Sequence, residues 1–416
     1  MNRFTQAWLC ATVATACALT PASAAKVTVI YQFSGRADGG IPSGRLLLDA
    51  AGNLYGTTLI SGRSGNGVVF RLAPSLVGPP WTETVLYNFP RYNDVDVFAN
   101  GGLLEDANGA LYGTAFGNDV GFAYRLTPPA RGRTSWRYST IYSFSRLADG
   151  GGPSGPLTMT PLGALVGVTQ AGGDVSGRNQ CDCGVAYTLM APTRGGPWQE
   201  SVAHTYLGRP DGDTPTGALA TDADGALYGT TLQGGSGDCV DHVAHEVTGC
   251  GTVFRLSYSG SVWSQTILYN FQPDEGNFPT NSVAFGPDGA LYGSAGPDLF
   301  RLGVDQSGNW QKSTLFSFPR GKAGAVAAGG LIFDESGNIY GATDSTGLYG
   351  HATIFKLAPP GSGGQAWTMT RLATLATNVN GAQPGGGVVR GPDGKFYGAV
   401  GSVAGATYGY VFAVVP

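Results

Sequence analysis

Seven times the chain returns to one short element: a turn, an apolar residue, usually a tyrosine, and a glycine. The copies are DAAGNLYGTT at 49–58, DANGALYGTA at 106–115, PLGALVGVT at 161–169, DADGALYGTT at 222–231, PDGALYGSA at 287–295, DESGNIYGAT at 334–343 and PDGKFYGAV at 392–400. The glycine after the Tyr, or after Val166 in the third copy, falls at 56, 113, 167, 229, 293, 341 and 398, at intervals of 48 to 64 residues. That period is too long for a helical solenoid unit and suits a small four-stranded sheet. A chain of 416 residues is large for a single core. Repetition avoids the limit, because each unit buries its faces against its neighbours.

Each copy divides into four strand-like runs bounded by turn residues. The first is GRLLLD at 44–49, GGLLED at 101–106, GALATD at 217–222 or GGLIFD at 329–334, followed by a tight turn in which Gly supplies positive φ. LYGTT is the second run, and a loop of variable length leads to the third, such as VVFRL at 68–72 or TVFRL at 252–256. The fourth opens on Trp81, Trp136, Trp198, Trp263, Trp310 or Trp367, so only six copies carry it. KVTVIYQF at 26–33 has the same pattern without the Trp and stands ahead of the first copy. This permutation predicts a closed ring: an all-β, seven-bladed β-propeller of four-stranded antiparallel blades. Strand 26–33 would complete the C-terminal blade, so that no sheet edge stays open. Leu227 and Tyr228 would then point to opposite, equally buried faces of their blade, and Gly229 would let neighbouring blades crowd together.

Residues 1–24 read as a signal peptide, with Arg3, an apolar run from Ala7 to Leu19 and a small-residue cleavage site at Ala22-Ser23-Ala24. The expected domain organisation is therefore this leader followed by a single propeller over 25–416. The box around Cys17 lacks the Leu of a lipoprotein signal, and no anchor is recognisable in the final VFAVVP, which falls in the last predicted strand. No other stretch has the ~20 apolar residues of a transmembrane helix. An exported protein is expected, periplasmic, cell-surface or extracellular, and monomeric. Charged residues are only 12% of the chain, the net charge is -4 and no basic cluster occurs, which argues against nucleic acid as a partner.

The units LYGTT, GTVFRL and ILYNF, with Asp-Gly-x-x-Pro after the aromatic strand, resemble the GloVer tandem repeat of bacterial proteins. The most similar stretch is 205–256, and the resemblance extends over essentially the whole chain after the leader. It implies an exported, envelope-associated protein with no enzymatic reaction attached to the family. Val166 departs from the pattern, where Tyr is usual.

Chemistry-bearing residues gather in two sets of loops that a propeller projects from one face. Asp38, Asp149, Asp211 and Asn380 precede first runs, where Asp and Asn shape turns by binding backbone amides. The alternative is a carboxylate ring able to hold calcium at the channel mouth. The long loop 232–251 carries Asp238, Cys239, Asp241, His242, His245 and Cys250, and the equivalent loop of the third blade carries Cys181 and Cys183. In an exported chain disulfides are expected, Cys239 with Cys250 first among three possible connectivities. A zinc site from Cys239, His242, His245 and Cys250 is the competing reading, at a spacing unlike the familiar zinc motifs. No resident cofactor is required by any motif. The chain reads as a non-catalytic binding or cell-envelope module whose loops, including Asp38, Asp149, Asp211, His242 and His245, meet an envelope or extracellular protein or glycan. A glycan- or lactone-directed hydrolase or lyase at the channel mouth is the alternative; it needs carboxylates converging there.

Overall fold

The computed structural model describes residues 26–90, 97–117, 120–174, 181–193, 195–240, 246–275, 278–318, 327–344, 352–361, 366–375, 382–402 and 408–416. Seven antiparallel sheets form a ring, and every named element among the described residues is a strand. Blade 1 runs outward from the channel as Gly40–Leu48, Leu54–Ile60, Val68–Ala73 and Thr82–Asn88. Blades 2 to 6 follow the same order. In blade 7 the inner strand is broken into Ala382–Pro384 and Val389–Arg390, and Phe396–Ser402 and Tyr410–Val414 follow. Its outer strand is Val27–Gln32, paired from Val27↔Val414 to Gln32↔Tyr410, so the leading segment closes the ring.

The second strands are buried on both sides. Leu227 lies in an apolar cluster with Val166, Val168 and Tyr206 of blade 3, while its neighbour Tyr228 lies in one with Val283, Leu291 and Phe300 of blade 5. Alternation along one strand thus serves two interblade cores. The glycine that follows has a different partner from the one expected. A Cβ on Gly229 would stand 2.5 Å from Cζ of Phe254, its register partner within the same blade, and 2.6 Å from Leu219. The same holds for Gly56 under Phe70, Gly113 under Tyr124, Gly293 under Phe300 and Gly398 under Phe412. The glycine makes room for the third strand's own aromatic ring, and the blades do not touch through it.

In blades 1, 3, 4 and 6 the inner strands begin earlier than the GRLLLD-type runs suggest. Gly40 and Pro42 already pair with Ile60 and Thr58, and the register shifts between Ser43 and Leu47. Equivalent shifts fall at Ser154/Thr158, Thr216/Ala220 and Ala328/Ile332. At these bulges Gly44, Gly155, Gly217 and Gly329 hold φ of +71° to +74°. They also touch the next blade: a Cβ on Gly155 would lie 2.6 Å from Gly217, and one on Gly217 would lie 2.7 Å from the Ser282 amide nitrogen.

The turn after each inner strand explains the Asp and Tyr together. Asp222 accepts the amides of Asp224 and Ala226 and, at 2.9 Å, the hydroxyl of Tyr228. Asp49/Tyr55, Asp106/Tyr112, Asp334/Tyr340 and Asp393/Tyr397 repeat the bond. Burial pushes the Tyr55 hydroxyl pKa up to about 12. In blade 3, where Val166 offers no hydroxyl, the Asp is also absent and Thr160 accepts the Ala164 amide instead. Gly229→Ala should cost about 1–3 kcal/mol in urea unfolding by overpacking Phe254, with recovery in Gly229→Ala/Phe254→Leu.

Candidate functional site: the loop-rich face and the channel

Three of the connections into inner strands carry an acidic residue in a shared role. The Oδ2 of Asp38 accepts the Ser34 amide at 2.7 Å and the Tyr31 hydroxyl at 3.2 Å. Asp149 accepts the Ser145 amide at 2.9 Å and the Tyr142 hydroxyl at 3.0 Å. Asp211 accepts the Leu207 amide at 3.1 Å, and its Oδ2 lies 2.9 Å from His204 Nε2. Tyr31, Tyr142 and His204 occupy one position of the preceding blade's outer strand. The Asp therefore ties that strand to the next blade while shaping its own turn. Among the described residues, no group of potential metal ligands brings Asp38, Asp149 and Asp211 together. The carboxylate ring of the calcium reading does not form from them. Asn380 lies outside the described residues.

A second acid faces two of these carboxylates. Glu83 and Glu200 sit two residues after the outer-strand Trp, each with Oε1 buried and unpartnered. Burial, reinforced by the charge of Asp38 or Asp149, raises each pKa to about 7. Blade 4 shows the neutral solution: Gln265, at the same position, donates from Nε2 to Asp211 at 2.9 Å. A glutamate can imitate that donor only when protonated.

The long loop of blade 4 is fastened by a disulfide between Cys239 and Cys250, and the amides of Thr248 and Gly249 donate to the Cys239 carbonyl at 3.0 and 3.3 Å. Arg209 reaches Asp238 at 2.7 Å. Asp241, His242 and His245 lie outside the described residues. With both sulfurs in a disulfide, the thiolates required by the zinc reading are not available. Cys181 and Cys183 are also joined, and the Asp213 carboxylate lies beside them, the three potential ligand atoms within 4.8 Å of one another. Burial raises the Asp213 pKa against the hydrogen bonds of Thr214. Asp182, between the two cysteines, pairs with Arg146 at 2.5 Å.

Down the axis, the residue after each inner-strand bulge position reads Arg45, Gly102, Pro156, Ala218, Ser282, Gly330 and Gly387. All but Gly387 line the channel, which opens toward the loops as a chamber of about 320 Å³ and toward the turn face as one of about 530 Å³. Arg45 borders both chambers and Arg390 borders the second, and among the described residues no carboxylate lines either. Sequence reasoning passed over Arg45, Glu83 and Glu200. The signal for Arg45 was its being the one charged residue in a column of small, uncharged ones.

Residues 14–177 match the family model described as the Gloeobacter/Verrucomicrobia repeat. No curated protein matches the sequence. Among solved structures, the chain resembles a catalytically inactive variant of virginiamycin B lyase from Staphylococcus aureus, crystallised with quinupristin, at 16% identity and a TM-score of 0.56, over 94% of this chain and 99% of that one. It also resembles a protein from Lactobacillus plantarum at 15% identity and a TM-score of 0.50, over 86% of this chain and 88% of the other. At such identities these likenesses concern the fold alone.

The acid pairs make the stability of the ring pH-dependent. The folded-state pKa of Glu200, about 7, lies above its ordinary 4.5, so the folded form holds the proton more tightly. The contribution is complete below about 4.5 and lost as pH rises through about 7. Glu83→Gln/Glu200→Gln should flatten this decline, raising Tm at pH 8 more than at pH 5, as measured by calorimetry.

Proposed function

Because the chain carries the Gloeobacter/Verrucomicrobia repeat and closes it into a seven-bladed ring, we propose that it is an exported, non-catalytic repeat propeller, a single domain after its leader, that binds an envelope or extracellular protein or glycan through its loop-rich face. One observation carries this reading: the recurring polar residues are committed to turns and blade contacts, whereas what distinguishes one blade from another lies in the loops. The strongest departure is 232–251 with its Cys239–Cys250 bond. Disulfides support an oxidising compartment outside the cytoplasm. Loops on a rigid scaffold are where recognition is commonly placed, since they vary without disturbing the core.

A hydrolase or lyase reading would draw its base from Asp38, Asp149 or Asp211. Each is occupied by amide and side-chain donors within its own corner. No observation favours that chemistry over binding.

Purified protein should bind one or more members of an array of envelope polysaccharides and surface proteins, measured by biolayer interferometry. Cys239→Ser/Cys250→Ser should weaken that binding at least about tenfold while leaving the far-UV spectrum of the propeller unchanged. Turnover of a glycan or lactone with no binding partner in the array would overturn the proposal, as would recovery of the protein from the cytoplasmic fraction.

A further inference from the structure

Among the described residues, the channel holds a charge with no counter-ion. Arg45 leaves the inner strand of blade 1 and crosses in front of blade 7. Its Nη1 lies 3.6 Å from where a Cβ on Gly330 of blade 6 would stand. Among the described residues it makes no hydrogen bond and no ion pair. Its side chain is exposed to the water of the channel, and partial desolvation by the surrounding protein lowers its pKa. Arginine nonetheless stays protonated in proteins. A guanidinium that faces the channel without a protein partner can take an anion in a charge-assisted, bidentate contact.

The chamber above it supplies hydrogen-bonding groups. Asn100, Ser154, Thr216 and Thr280 occupy one position, just before the bulge, in four successive blades, and all line the cavity. The Thr216 hydroxyl is engaged by the Pro279 carbonyl. Ser154 is 8% exposed, and among the described residues its buried hydroxyl has no partner, nor does the buried side-chain oxygen of Asn100. A hydroxyl left without a bond in a closed site is costly unless something completes it. The planar fork of one arginine matches one carboxylate, and the surrounding groups match hydroxyls. A chamber of about 320 Å³ is at the small end of ligand sites.

We propose that the central channel is a binding site for a small hydroxylated monocarboxylate of the size of a uronic acid, its carboxylate held by the Arg45 guanidinium and its hydroxyls by the Ser154 and Asn100 side chains. This site is separate from the loop-face reading, since it uses no loop cysteine and no residue of 232–251. Either can fail without the other.

The test is isothermal titration of the whole protein at low salt with glucuronate, with glucose as the uncharged counterpart and inorganic phosphate as the plain anion. Glucuronate should bind and glucose should not. Arg45→Gln should weaken glucuronate binding at least about tenfold, as expected for loss of a charge-assisted bidentate contact. Arg45→Lys should recover part of the loss. Gly330→Asp offers a second route that leaves Arg45 in place: a carboxylate beside the guanidinium should compete internally and weaken binding to a similar degree. Unfolding curves of each variant separate lost binding from lost folding. The proposal is overturned if glucuronate gives no heat with the wild-type protein up to tens of millimolar, if both variants bind it undiminished, or if phosphate binds more tightly than glucuronate.

Discussion

The ring depends on how closely its inner strands approach one another. At Gly44, Gly155, Gly217 and Gly329 the chain bulges with positive φ, and the space where a side chain would begin is filled by the next blade. Both requirements select glycine. Where the pattern breaks, side chains take over: Ala218 donates its amide to the Ser282 hydroxyl at 2.6 Å, and Gly329 donates to the Asn281 side-chain oxygen at 3.0 Å. Blade 5 thus joins its neighbours through Asn281 and Ser282 side chains, at and beside the position where the other blades keep glycine. The channel is narrow because seven strands come this near, and so an arginine of blade 1 can reach blade 6 past blade 7.

Outward from that annulus, packing is organised by pairs of residues more than by single ones. Tyr228 faces Arg255 across the second and third strands; the guanidinium lies 5.7 Å from the ring centre and 3.9 Å from Asp222. Tyrosine, aspartate and arginine therefore form one unit at the turn face. Blade 3 changes all three members at once, with Val166 for Tyr, Thr160 for Asp, and Thr188 facing Val166 where blades 1, 2, 4 and 5 place Arg. A buried tyrosine without its acceptor would be less favourable than a valine.

The fold was legible because the repeat states it seven times, and because a fourth run missing from the end reappears at 26–33. What escaped was tied to atoms that only the folded ring brings together. Gly229 was recognisable as a close-approach residue, but its partner Phe254 lies 25 positions further on, and nothing local distinguishes a contact within a blade from one between blades. Asp38, Asp149 and Asp211 were recognisable as turn formers. Their bonds to Tyr31, Tyr142 and His204 required the corner between two blades. Arg45 reads in GRLLLD as an ordinary polar residue of a short strand. Only the column of seven, read around the axis, shows how unusual it is. Glu83 and Glu200 look like solvent-facing positions of an alternating strand until Gln265 reveals what that position meets.

The closing pair of strands has a mechanical meaning. Val27 lies opposite Val414, so the chain enters and leaves the pair at the same end, and the two strands run antiparallel from there. Tension drawn between the two ends would load their hydrogen bonds one after another, in the geometry of a zipper, and would not shear them all at once. The seam would therefore yield at low force, although thermal motion must break the whole of it cooperatively with the blades on either side.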